Sequence, residues 1–186
     1  MLKRYLTEAL DTAVDFGFIK SIVGDSYKIA MLDYESFTPA TTLSKIFKKR
    51  DCVAILFHII NASGNVTPIG HWTLLIKATK KMPIQFYDSL GFGLRKILSV
   101  THEKPYLWNL LSKVKWTDST VAMQTQGKHF KECGSFVGVR GLMGGLTNAQ
   151  FVKFFKTKTS QKSDQLVIML TLLHYVKYYK FNKQKP

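Results

Sequence analysis

The sequence predicts an α+β fold in a single domain over residues 1–186, and two observations carry that expectation. A strand-rich middle, residues 52–88, holds runs of β-branched and apolar residues broken by turn residues, and segments of helical spacing lie on either side of it. With 186 residues, 46% hydrophobic and 13% aromatic, the chain is long enough to bury a substantial core and too apolar for disorder away from its ends.

Taken in order, Leu6, Ala9, Leu10, Ala13 and Phe16 recur at three- and four-residue intervals and predict an opening helix over 3–16, ended by Gly17. An irregular stretch runs through Pro39, after which Thr41 or Thr42 caps a short helix over 43–49. Residues 52–60, CVAILFHII, read as a buried strand that turns at 61–65. A second strand, 69–78, carries His71 and Trp72, and a third, 84–87, delivers Asp88 where Ser89 and Gly91 break it. The loop 79–83 has hairpin length, so these strands are antiparallel neighbours and His71 faces Asp88 across the ladder.

Residues 92–113 are helical with a break at Pro105, and 115–124 have strand character. From Cys133 onward, Phe136, Val137, Val139 and Leu142 have helical spacing, with Gly134, Gly138 and Gly141 between them. Each such glycine costs a helix about 1 kcal/mol relative to Ala, so close packing against another element has to compensate. Thr147 caps a helix through Lys156, and residues 161–180 form the last one.

Lys and Arg number 27 against 12 acids, a net charge of +15. A field of that size attracts polyanions, so nucleic acid is the first partner to consider, although no nucleic-acid-binding motif is present. Lys45, Lys48, Lys49 and Arg50 form one cluster, and residues 147–186 form a basic helical part with eight lysines against one acid between Lys153 and Pro186. Cys52 and Cys133 are too few for a disulfide framework and lack zinc-finger spacing, which points to a reducing compartment and no metal site. The N-terminal residues do not resemble a secretory signal, so no export is expected. The longest apolar run, 166–176, is 11 residues with Thr171 and His174 inside it, well short of the roughly 20 a membrane span needs.

Four polar residues suit the parts of cysteine-based acyl transfer: His71, Asp88, Gln126 and Cys133. A thiol with its free pKa of about 8.5 needs an imidazole beside it to become a nucleophile, and the imidazole needs an acceptor to fix its tautomer. Cys133 sits at a helix start, where the dipole favours thiolate, and a Gln side chain such as Gln126 is a suitable oxyanion donor. Each residue alone has a plainer reading: Cys133 as a small buried hydrophobe, His71 as a strand histidine, Asp88-Ser89 as a turn. Their joint placement favours the chemical one. His58, mid-strand, reads as core or opposite face; His129 lies in a loop with nothing to orient it; Cys52 reads as core.

Gly70-His71-Trp72, Phe86-Tyr87-Asp88-Ser89-Leu90-Gly91, Gln126-Gly127 and Cys133-Gly134-Ser135-Phe136 together resemble the pattern of the adenovirus maturation protease (adenain) and the SUMO-deconjugating proteases, over about residues 52–142. The resemblance implies an adenain-like cysteine-protease fold with a mixed, largely antiparallel sheet packed by helices. It assigns His71 as general base, Asp88 as its orienter, Cys133 as nucleophile, and Gln126 with the Cys133 amide as oxyanion hole, with Gln124 as the fallback. Trp72 and Gly134 would contact substrate. Glu132 departs from the pattern, because SUMO proteases carry Asp there and adenain a small residue.

Small size and basic charge also resemble the capsid-maturation proteases of virophages and Polinton-type elements. That implies a monomer acting on capsid or other virion precursor proteins, in the virion or viral factory, with no required cofactor and DNA as a candidate activating polyanion. Two other functions remain open on these residues: deconjugation of ubiquitin-like modifiers, and a non-catalytic basic protein that binds nucleic acid.

Overall fold

The computed structural model describes residues 14–25, 27–60, 66–124, 132–158 and 163–182. Among them lie seven α-helices and five strands, an α+β arrangement. In chain order these are α1 (Phe16–Val23), β1 (Ile29–Asp33), α2 (Leu43–Phe47), β2 (Cys52–Ile60), β3 (Val66–Ile76), β4 (Ile84–Tyr87), α3 (Gly93–Val100), α4 (Tyr106–Leu111), β5 (Trp116–Thr117), α5 (Cys133–Leu142), α6 (Asn148–Lys158) and α7 (Ser163–Tyr175). A 3₁₀ turn follows β1 (Tyr34–Ser36), and a π-helical segment follows α7 (Val176–Asn182).

The strands form one mixed sheet in the order β1-β2-β3-β4-β5, with antiparallel pairs at its centre and a parallel pair at each edge. Alternation along the strands sends Ala54, Trp72, Leu74 and Tyr87 to a core shared with α1, α5, α6 and α7. Val53, Ile55, Phe57, Leu75 and Phe86 face the opposite way, onto α2, α3, α4 and the 3₁₀ turn. Both faces are therefore covered, which explains why β2 and β4 read as continuous apolar runs.

Several sequence expectations change. Gly17 does not end a helix, because α1 runs through it and stops at Gly24, whose φ of 60° suits glycine. Asp15 starts α1 by accepting from the Phe18 amide at 2.9 Å. Gly17 is needed for another reason: a Cβ there would lie 1.9 Å from the Tyr178 hydroxyl. Of the expected helix over 3–16, residues 1–13 lie outside the described residues, as does the turn at 61–65. The stretch before Pro39 is not irregular throughout, since it contains β1. The strand expected over 115–124 is reduced to Trp116–Thr117.

The expected close packing of the glycine-bearing helix is present. A Cβ at Gly138 would meet Ile22 at 2.6 Å and one at Gly141 would meet Val23 at 2.9 Å, so α5 lies against α1 at a distance only glycine allows. Thr147 and Gln150 close a capping box at the start of α6: the Gln150 amide donates to Thr147 Oγ1 (3.2 Å), and Gln150 Oε1 accepts from the Thr147 amide (2.9 Å).

Candidate active site

Strand β4 is much shorter than β3, and its last paired residue, Tyr87, stands opposite Leu74. Beyond that pair the edge of β3 at His71 and Trp72 is not covered by β4, and the N-terminus of α5 comes to this open edge. The Trp72 amide donates to Cys133 Sγ at 3.4 Å, a hydrogen bond that a longer β4 would displace. His71 and Asp88 are not directly opposite each other. Extending the register places Asp88 beside Thr73, so His71 is its diagonal neighbour two residues on, on the same face.

The His71–Asp88 contact is nevertheless short, 2.7 Å from Nε2 to Oδ1. Oδ1 also accepts from the Leu90 amide (2.9 Å), and Oδ2 accepts from the Phe92 (2.6 Å) and Gly93 (3.3 Å) amides. The Ser89-Leu90-Gly91 turn thus aims its amides at one carboxylate. Burial opposes ionisation of Asp88, but the hydrogen bond and charge of His71 and the Leu90 and Phe92 amides outweigh it and hold the carboxyl below the usual range.

With Nε2 engaged by Asp88, the other ring nitrogen of His71 is left for the sulfur. Burial works against protonation of His71, but the Asp88 hydrogen bond, followed by the hydrogen bond and charge of Cys133, pushes its pKa up to about 10. An imidazole protonated at neutral pH and placed beside a sulfur is the charge partner a thiolate nucleophile requires. Cys133 also opens α5, where the helix dipole favours negative charge. Cys133 is 2% exposed and His71 7%, so the charge of His71 acts where water screens little.

Residues 118–124, expected as strand, instead brace the Asp88 turn. Ser119 Oγ donates to the Asp88 carbonyl (3.1 Å), and the Met123 (2.8 Å) and Gln124 (2.9 Å) amides donate to the Ser89 carbonyl. A Cβ on Gly91, whose φ is 68°, would sit 2.3 Å from the Ala122 amide nitrogen. Gln124 Oε1 accepts from the Ser89 hydroxyl at 2.7 Å, so this side chain takes part in the brace. Asp118 caps α3 through the Leu94 amide, and burial raises its pKa to about 6.

Trp72 lies over Gly134, where a Cβ would meet the indole at 3.3 Å and Val14 at 2.0 Å, and the indole NH donates to the Val14 carbonyl at 3.1 Å. Gln126, Gly127 and His129 lie outside the described residues. Burial, then the charge of Asp51, pushes the Cys52 thiol up to about 12, which fits its reading as inert core. Glu132, the departure from the protease pattern, is raised to about 7 by burial and then by Asp164.

His58 is half-buried rather than core, and its Nε2 meets Asp33 Oδ2 at 2.6 Å. With Glu35 these groups place three ligand-type atoms within 4.8 Å of one another, the grouping among the described residues that could hold a divalent cation. The sequence expectation had no metal site. The functional residue most clearly overlooked is Arg140. It is the one cation inside an otherwise apolar helix, and that isolation was the available signal. None of the described helices is long and apolar enough to cross a membrane. No protein-family model, curated protein or solved structure matches the chain.

Proposed function

We propose that the protein is a cysteine endopeptidase with an adenain-like fold that processes capsid or other virion precursor proteins. The observation that carries this reading is the His71 ring held between the saturated carboxylate of Asp88 and the sulfur of Cys133 at a helix start. In the reaction, Cys133 Sγ attacks the scissile carbonyl and His71 gives its proton to the leaving amine, forming a thioester. His71 then takes a proton from water, and the resulting hydroxide attacks the thioester, releasing the acid and leaving Cys133 as thiolate beside the reprotonated His71. The Cys133 amide, at the start of α5, stabilises the oxyanion together with Gln126.

Incubation of the wild-type protein with capsid-derived peptides, beside ubiquitin- and SUMO-derived probes, tests this. Cleavage of the peptides and thiol-probe labelling at Cys133 but not Cys52 are expected. Labelling of both cysteines at the same slow rate, with no peptide cut, would sink the protease reading; preference for the modifier probes would move the protein to deconjugation.

The basic charge supports a polyanion partner. Exposed Lys48, Lys49 and Arg50 precede β2, Lys77, Lys80 and Lys81 follow β3, and Lys113 and Lys115 precede β5. The sheet register gathers these segments at one end, because Cys52 pairs with Ile76 and Ile84 pairs with Trp116. Asp88 leaves the opposite end of β4, and His71 lies roughly 16 Å along β3 from Ile76. DNA bound at this end would leave the cleft open.

Lys80→Glu, Lys81→Glu and Lys115→Glu together are expected to weaken DNA binding and lower its log–log salt slope by about three. They should also abolish any acceleration of peptide cleavage by DNA at low salt. A wild-type rate indifferent to DNA at every salt concentration removes the cofactor role.

A further inference from the structure

Next to the catalytic machinery lies a small pocket that the acyl-transfer chemistry does not use. It has a volume of about 80 Å³, with His71 in its wall beside Leu90, Phe92, Ile97, Val100 and Thr101. Leu90, Ile97 and Thr101 are buried, whereas Val100 is 50% exposed and forms part of the rim. Among the described residues the lining is mostly apolar, and its one hydroxyl, Thr101 Oγ1, donates to the Ile97 carbonyl at 2.9 Å.

We propose that this pocket receives an aliphatic side chain of the substrate, from the residue on the leaving-amine side of the scissile bond. The inference rests on the protease reading above and adds a substrate class to it. Its placement follows from the two halves of the reaction. The acyl half is held where the thioester forms, at Cys133 and the start of α5. The amine half must pass His71, because that ring supplies its proton.

None of the pocket's lining comes from α5. It is built from the Asp88 turn, α3 with Thr101 after it, the end of β2 and the middle of β3, so it flanks His71 on the amine side. Size sets the ligand class. The volume is about half of the roughly 150 Å³ cavity that admits a benzene ring, which suits Val, Leu or Ile and excludes Phe and Trp. His71 is the one charged group among the lining residues and is engaged by Asp88, so a polar side chain of the substrate would lose water for little return.

The test is a set of peptides differing only at the first residue after the cleaved bond, with Gly, Val, Leu, Phe or Lys there, assayed with wild type, Val100→Trp and Val100→Ala. Val100 is at the rim, so both variants should fold, and circular dichroism checks that they do. Wild type is expected to favour Val or Leu over Gly by about 10-fold or more in kcat/KM. Val100→Trp should abolish that preference by lowering cleavage of the Val and Leu peptides to that of the Gly peptide, and Val100→Ala should admit Phe.

Wild-type cleavage with no preference at this position, or a preference that Val100→Trp leaves intact, overturns the subsite and leaves the protease reading standing. Failure of wild type to cut any of the peptides, with no selective labelling of Cys133, overturns both.

Discussion

Replacing Asp88 with Asn is expected to lower kcat/KM by about four orders of magnitude, the cost seen when a catalytic histidine is held in the wrong tautomer. The carboxylate accepts four hydrogen bonds, from His71 Nε2 and from the Leu90, Phe92 and Gly93 amides. An Asn amide offers one accepting oxygen and one donating nitrogen, so at least one of these four donors must face another donor. Turning the oxygen toward His71 strands the Phe92 and Gly93 amides, at about 1–3 kcal/mol for each unsatisfied group. Turning it toward those amides makes Nε2 accept from the Asn nitrogen and forces His71 into the other tautomer, with its proton on the nitrogen that faces the sulfur, so the neutral ring cannot act as a base there.

The pH dependence should change as well. His71 is raised to about 10 in the folded protein against about 6.5 unfolded, so the stability it contributes is fully present below about pH 6.5 and is lost as pH rises through about 10. Asp88 is lowered, so its contribution is present above about pH 4 and is lost as pH falls through its folded value. In Asp88→Asn the alkaline limb of the rate profile should move to lower pH, and urea titrations should show a smaller stability loss between about pH 6.5 and 10. Wild-type kcat/KM with an unmoved alkaline limb in the variant would mean that Asp88 does not tune His71.

The site was legible in the sequence wherever local patterning determines it. The 79–83 connection made β3 and β4 a hairpin, so His71 and Asp88 were bound to approach; only their diagonal offset required the register. Cys133 at a helix start followed from apolar spacing. What failed depends on contacts remote in sequence. The strand β1 pairs in parallel with β2 from more than twenty residues away and has no turn to announce it. Gly17 looked like a terminator but is small because Tyr178 lies against it. Residues 118–124 have strand-forming side chains, yet their backbone donors are directed to Ser89 rather than continuing along β4. Local composition cannot express that choice.

Arg140→Met is expected to destabilise the protein by about 2–4 kcal/mol, although Met matches the buried volume and removes a buried charge. Arg140 is 0% exposed, and burial lowers its pKa to about 10 against the raising influence of Tyr87, Cys52 and Tyr27, so it remains charged at neutral pH. No ion pair with a carboxylate holds it among the described residues. Its guanidinium lies over the rings of Phe151 (5.2 Å) and Tyr87 (5.9 Å) and donates to the Met143 (3.0 Å) and Leu146 (2.7 Å) carbonyls and to Asn148 Oδ1 (3.2 Å).

A buried charge without a counter-ion is ordinarily a liability, and apolar replacement often stabilises. Here the replacement leaves three acceptors with no donor, each costing about 1–3 kcal/mol, which exceeds the gain from removing the charge after partial relaxation. The loss should also reach activity. Asn148 donates to the Phe86 carbonyl (2.8 Å) and accepts nothing from β4, while its amide donates to Gln85 Oε1 (2.9 Å). Arg140 and Asn148 therefore tie the far end of the Cys133 helix to the strand that delivers Asp88.

Loosening that tie displaces the sulfur relative to His71, and a shift near 1 Å costs about 100-fold in rate. Arg140→Lys keeps the charge but lacks the planar fork that serves three acceptors, so its stability and rate should fall between those of wild type and Met. Urea midpoints with peptide kcat measured on the same preparations decide the matter: a Met variant as stable as wild type, or a destabilised one whose folded fraction turns over at the wild-type rate, would show that Arg140 does not position the nucleophile.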